Sequence, residues 1–339
     1  MKRISVALLT LLFATSAFAD TLRIKARDHF KPIAASTKLS KVEKAQVSLG
    51  RMLFFEPRLS KSQLISCNSC HNLSTGGVDL QETSTGHGWQ KGPRNAPTVL
   101  NSGNQIAQFW DGRSPDLEDQ AKGPVQAGVE MANTPAKVTE TLKSIPEYSK
   151  AFKKAFPKQK SPVSFDNMAK AIASFEATLT TPGSKFDRFL TGKAKLSKPE
   201  RRGLSLFMDK GCASCHGGTN LGGESFQVFG VANSPSEELR PKGDIGREKV
   251  TGKKADRFAY KVPVLRNIEL TAPYFHTGKV HDLGKAVQVM GKTQLGVNFN
   301  AKETADIVAF LKTLTGKQPK VNHPELPPSS ANTPLPVLD

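Results

Sequence analysis

The apolar positions of this chain fall into short helical stretches separated by long intervals rich in glycine and proline. Ser40-Lys41-Val42-Glu43 reads as a capping box, with the serine capping the helix and the glutamate reaching back to it. Val47, Leu49, Met52, Leu53 and Phe54 follow at helical spacing, and Pro57 closes the element. The same signals return at Leu196-Ser197-Lys198-Pro199-Glu200, ahead of Gly203, Leu204, Leu206 and Phe207. This recurrence predicts an internal duplication, each half a helical unit. Helical patterning also covers residues 135–156 and 165–179, and a last helix runs from Glu303 to Leu314 with Ile307, Val308, Phe310 and Leu311 on its apolar face. Between Thr75 and Pro97, and again from Cys215 to about Tyr260, periodicity fades and glycines accumulate, so long loops are expected there. The class expected is mainly α, with little β structure.

The Thr181-Pro182-Gly183-Ser184 turn divides the chain into an N-terminal unit, residues 20–182, and a C-terminal unit, residues 183–317. From Gln318 to the end six prolines and no periodic pattern indicate an extended tail, residues 318–339, either wrapped on the body or disordered. At the other end Lys2 and Arg3, the apolar run from Ile4 to Phe13, and Ala17-Phe18-Ala19 form the pattern of a cleaved secretory signal, residues 1–19. That run is too short to span a bilayer, and no other stretch reads as a membrane anchor. The expected location is a bacterial periplasm.

Charge narrows the partners. The 48 Lys and Arg against 30 Asp and Glu give a formal +18, which becomes +16 once Lys2 and Arg3 leave with the signal. Such an excess suits nucleic acid, an anionic membrane or an acidic protein. Export argues against nucleic acid. What remains is a solvated basic surface, or a positive field that steers a small acidic electron donor.

All four cysteines lie in two identical patterns, Cys67-Asn68-Ser69-Cys70-His71 and Cys212-Ala213-Ser214-Cys215-His216. Two thiols three positions apart can add to the two vinyl groups of one porphyrin, and the histidine that follows is then carried beneath the iron as its proximal ligand. A four-thiolate zinc site would need both widely separated pairs in one place and would leave the histidines without purpose. A disulfide between such close cysteines makes a small strained loop suited to exchange rather than stapling, and a thioredoxin-like motif would not come twice with a trailing histidine. Two covalently bound haem c groups are therefore expected, each in a cytochrome-c-like helical domain whose core the haem helps to fill. The sixth ligand decides whether an iron stores electrons or does chemistry. Spacing alone leaves His87 and Met131 open for the first haem, and His276, His281 and Met290 for the second; Met290, within Ala286-Val287-Gln288-Val289-Met290, reads equally as a core methionine.

Four further runs add specificity: Leu49-Gly50-Arg51-Met52-Leu53-Phe54-Phe55-Glu56-Pro57-Arg58-Leu59-Ser60, Arg94-Asn95-Ala96-Pro97-Thr98, Phe109-Trp110-Asp111-Gly112-Arg113, and Thr271-Ala272-Pro273-Tyr274-Phe275-His276-Thr277-Gly278. With these, nearly the whole mature chain resembles the bacterial di-haem cytochrome c peroxidases. The resemblance implies His71/His87 ligation at a low-potential, peroxidatic haem and His216/Met290 ligation at a high-potential haem that receives electrons. It implies that His87 leaves the iron when the high-potential haem is reduced. It also implies Glu130 as the distal acid–base group, Gln120 as a distal hydrogen-bonding partner, and Trp110 between the haems. A Ca²⁺ ion would be held by the Asn95 side chain and the carbonyls of Thr271 and Pro273, with water completing the shell. The activity implied is reduction of hydrogen peroxide to water with two electrons from a cytochrome c or cupredoxin, in a homodimer. Two rivals stand beside it. One is a di-haem electron carrier without peroxidase activity. The other is the related group that oxidises tryptophan on a partner protein; that group carries tyrosine where this chain has Met290.

Overall fold

The computed structural model describes residues 21–34 and 38–338, so the expected signal, residues 1–19, lies outside the described residues. The first half is built on a helix crossing. Lys41–Phe54 is capped by Ser40, whose hydroxyl accepts from the Glu43 amide at 3.2 Å while the Glu43 carboxylate accepts from the Ser40 amide at 2.8 Å. It lies across Phe165–Glu176 so closely that a Cβ on Gly50 would stand 1.8 Å from the Ala171 carbonyl oxygen. One turn further along each helix, Phe54 meets Phe175 edge-on with ring centroids 5.4 Å apart.

The second half repeats this construction. Lys198–Asp209, capped by the Ser197/Glu200 box, crosses Ala301–Lys312, and a Cβ on Gly203 would stand 1.9 Å from the Asp306 carbonyl oxygen. Phe207 then meets Phe310 at 5.3 Å. Gly50 and Gly203 thus do the same work, and the duplication predicted from the sequence is present in three dimensions. Replacing either glycine by alanine is expected to destabilise the protein by about 1–3 kcal/mol or more, because a methyl group meets backbone that cannot swing away. Thermal unfolding should show it, with Gly128→Ala, where nothing lies within 4 Å, as the neutral comparison.

The patterning at 135–156 resolves into two helices, Pro135–Ser144 and Pro146–Ala155. Ile145 between them is extended (φ −106°, ψ 105°), because Pro146 keeps its predecessor out of the helical region. Leu117–Gln126, Lys185–Leu190 and Leu283–Met290 are further helices. Inside the interval read as a loop after Cys215, Phe226–Val228 pairs antiparallel with Ala259–Lys261, Gln227 opposite Tyr260. Three-residue strands are too short to show alternation.

The two larger apolar cores lie either side of the Thr181–Ser184 turn, and a smaller one around Phe229, Tyr260 and Tyr274 packs against Trp110 and Met290. Of the larger pair, one centres on Leu49, Leu53, Phe54, Leu142, Tyr148 and Phe152, the other on Phe186, Leu204, Phe207, Ile307 and Phe310. The chain ends, however, cross over. Residues 21–34 belong with the second core: Leu22, Ala26 and Phe30 pack there and the Lys31 amide donates to Gly218 O at 3.2 Å. The proline-rich tail returns over the first core, where Val321 packs, His323 lies 4.6 Å from the Phe55 ring, Arg58 donates to Pro327 O and Ser329 Oγ, and the Val337 amide donates to Lys61 O. The packing of residues 21–34 therefore departs from the linear division at 182, while the tail after 318 takes the wrapped arrangement: each core holds the opposite end of the chain. A stripe such as Leu22, Ala26, Phe30 says that a helix buries one face, not which core receives it. A buried polar node ties the halves, with Asn101 Nδ2 and Asn267 Nδ2 both donating to Thr181 Oγ1 at 2.9 Å.

Candidate active site

The second Cys-x-x-Cys-His motif opens on Gly211, whose φ of 94° turns the chain out of Lys198–Asp209 into a short turn at Cys212–Ser214. His216 is buried, and its Nδ1 lies 3.1 Å from the Leu221 carbonyl. A carbonyl can only accept, so Nδ1 carries the proton and Nε2 keeps a lone pair for a metal. Burial holds the imidazole below its usual pKa, which favours the neutral, ligating form. Cys212, Cys215 and His216 line a mostly apolar cavity of about 230 Å³, and Met290 lies on its wall. Met290 is the last residue of Leu283–Met290, followed by a wide turn over Gly291–Leu295. The turn is pinned by Val297 N to Gly291 O at 2.9 Å and Thr293 Oγ1 to Val289 O at 2.7 Å.

The first motif forms one helical turn, Cys67–Cys70, with Cys67 packed against the first core. Burial pushes the Cys70 and Cys212 thiols up to about 11, and Cys67 and Cys215 upward as well. None of the four is in a disulfide, and among the described residues no three His, Cys, Asp or Glu side chains gather as a metal site. Protonated thiols on two separate cores fit neither zinc nor thiol exchange. They fit two haems: paired free thiols, adjacent histidines and an apolar cavity at the second motif. His87 Nδ1 is buried without a hydrogen-bond partner, so no protein contact fixes that edge of its ring.

His87 is 6% exposed and begins a tight turn, His87–Trp89, whose Gly88 and Trp89 both have positive φ. Its amide donates to the Glu130 carbonyl at 2.7 Å, and a Cβ on the preceding Gly86 would lie 2.2 Å from Val129 O. The His87 loop and the Glu130 turn are therefore fastened backbone to backbone. Burial raises the Glu130 carboxyl above the usual carboxylate range, with Arg113 opposing. Glu130 is also near enough to Cys70 to raise its thiol. Gln120 sits half-buried on Leu117–Gln126, the helix whose end holds the Glu130 turn through Pro124 O to the Met131 amide at 3.1 Å. The Arg113 guanidinium stands 3.4 Å over the Phe109 ring. Sequence offered no sign that it would act on Glu130.

Between the halves, Trp110 Nε1 donates to Asn95 O at 2.9 Å, and its ring lies 6.0 Å from His276. Asn95, Trp110, Thr271 and Pro273 all line the cavity of the second motif. Asn95 Nδ2 donates to Gln81 O at 2.9 Å, which aims the amide without using its oxygen. Arg94 fastens the halves, reaching Asp244 at 2.6 and 2.8 Å and Asp111 at 2.8 Å. His276 is buried, stacked on Tyr260 at 4.2 Å, and burial pulls its pKa down to about 4 against the pull of Asp244. It donates structure rather than charge here, its carbonyl accepting from the Asn95 amide at 2.7 Å.

Two helical cores, each carrying a Cys-x-x-Cys-His site and joined through a tryptophan-bearing interface, define a two-domain, di-haem c-type cytochrome. The di-haem cytochrome c peroxidase family profile matches residues 44–195, and the cytochrome c profile matches residues 200–315. The cytochrome c551 peroxidase of Pseudomonas aeruginosa is 52% identical over 97% of this chain and 96% of its own length. That of Nitrosomonas europaea is 50% identical over 98% and 97%. The methylamine utilization protein MauG of Methylorubrum extorquens is 33% identical over 93% and 90%. Among solved structures, a MauG-like protein associated with microbial copper homeostasis superposes with a TM-score of 0.74 at 28% identity, covering 84% of this chain and 93% of that one. The chain belongs to the di-haem cytochrome c peroxidase family, which implies two covalently bound haem c groups.

Proposed function

We propose that the protein is a periplasmic peroxidase that reduces hydrogen peroxide to two waters with two electrons from a small redox protein, a cytochrome c or a cupredoxin. Peroxidase chemistry follows from its family; the location rests on the secretory pattern of residues 1–19, and among the described residues no helix is long and apolar enough to cross a membrane. When bound, the haem at His71 supplies an open iron for peroxide and the haem at His216 stores an electron. In this reading His87 is the displaceable ligand at the first site and Met290 the permanent one at the second.

The observation that carries the proposal is the backbone link between the His87 loop and Glu130. A loop holding the sixth ligand moves together with the carboxylate that peroxide cleavage needs. Trp89, at the loop tip, is 80% exposed, so displacing the tip uncovers little apolar surface. Glu130 then takes the proton from the near peroxide oxygen and returns it to the departing one, with Gln120 as hydrogen-bonding partner and Trp110 between the two haem sites. Stopped-flow mixing with peroxide tests this: protein pre-reduced by donor should consume one peroxide per two electrons, and no consumption would end the peroxidase reading.

Asn95 Oδ1 and the Thr271 and Pro273 carbonyls suit Ca²⁺, a hard cation, as ligands at the junction of the halves. Chelation followed by metal analysis should lower turnover, and a calcium-free protein with full activity would remove the ion from the mechanism. A homodimer is the proposed assembly, to be read by sedimentation.

A further inference from the structure

Lys261 closes the Ala259–Lys261 strand and is 6% exposed. Its ammonium donates to the Ala107 carbonyl at 2.8 Å and to the Gln105 side-chain oxygen, both neutral acceptors. Among the described residues no carboxylate forms an ion pair with it, and the acidic group that acts on it, Asp111, is already held by Arg94 and Arg113. Burial accordingly pulls its pKa down to about 8. A cation kept out of water with only neutral partners is costly unless a counter-charge arrives.

Its position says which counter-charge. Lys261 and Gln105 line the same cavity as Cys212, Cys215, His216 and Met290, while the Lys261 amide donates to Trp110 O at 2.7 Å. Two residues on, Pro263 approaches the His216 ring. A haem joined through its vinyl groups still carries two propionate carboxylates, and the rest of this wall is largely apolar.

We propose that Lys261 is the counter-ion for a propionate of the haem attached at Cys212 and Cys215, fixing that edge of the haem beside Trp110. The proposal rests on the haem reading of the second motif. Lys261 is thus a positioning residue that also sets the potential, because a fixed cation disfavours the more positive ferric state.

The test is a spectroelectrochemical titration of the holoenzyme. Lys261→Gln is expected to shift the ferric/ferrous ratio of the methionine-ligated haem about tenfold towards ferric at fixed potential, a fall of about 59 mV. Lys261→Arg should keep the wild-type value. A Lys261→Gln potential equal to wild type, or a Lys261→Arg fall as large as that of Lys261→Gln, overturns the proposal. Should Lys261→Gln fail to load haem, Gln105→Glu gives Lys261 a competing carboxylate without removing it: a similar fall supports the propionate pair, and an unchanged potential overturns it. Failure of the haem reading itself would appear separately, as wild-type protein without two covalent haems by pyridine haemochrome.

Discussion

Replacing Glu130 by glutamine is expected to lower peroxide turnover by about 10²- to 10⁴-fold, the usual worth of a positioned acid–base group, while both haem spectra stay as in the wild type. The amide keeps the shape of the side chain and the backbone carbonyl that receives the His87 amide, so what is lost is proton transfer and not the loop. The pH profile separates the two roles. Glu130 must be ionised to accept the first proton, and burial places its pKa above the ordinary carboxylate range. Wild-type kcat/KM should therefore fall on acidification at a higher pH than a solvent-exposed glutamate would give, and that limb should vanish in Glu130→Gln. Arg113→Ala should move the limb further up, since Arg113 opposes the effect of burial. Turnover of Glu130→Gln within a factor of two of wild type would take Glu130 out of the mechanism.

The duplicated helices and the haem motifs were legible in the sequence because they are local, whereas the way other helices cross them was not. A capping box, a glycine and an aromatic four residues later sit within one element, and two thiols plus a histidine sit within five residues. What the sequence withheld depends on where elements meet. Pro146 signalled the break between Pro135–Ser144 and Pro146–Ala155, yet continuous apolar spacing masked it. Leu22, Ala26 and Phe30 went unread as one face of a helix, and the core that covers them lies far along the chain. Glu130 and Gln120 were nameable only through the resemblance, since nothing near them in sequence says that Arg113 and Cys70 lie close in the folded chain. Lys261 is the extreme case: in a strand of three residues beside Tyr260 it reads as surface, and only its burial and its neutral partners mark it out.

Met290→His should abolish the difference between the two haem sites. Axial ligand identity spans roughly 0.8 V of haem potential, so exchanging methionine for imidazole is expected to lower the second site by on the order of a few tenths of a volt within that span. The position is suited to the exchange, because Met290 is set by the end of Leu283–Met290 and by the pinned turn that follows, with Gly291 packed so closely that a Cβ would lie 2.6 Å from the Phe299 ring. His87 is tied instead to another loop: its amide is held by the Glu130 turn, and it rides on a turn with two positive-φ residues and an exposed tryptophan at its tip. On the proposed mechanism, with both sites bis-histidine the donor's electrons would no longer settle first at the second site, the proposed trigger for His87 release would be lost, and turnover driven by donor should fall at least tenfold. A redox titration would then show the two haems converging instead of two well-separated steps. If the imidazole does not reach the iron, the same titration shows a high-spin second haem, which still identifies Met290 as the ligand; an unchanged low-spin, high-potential haem would assign that role to another residue.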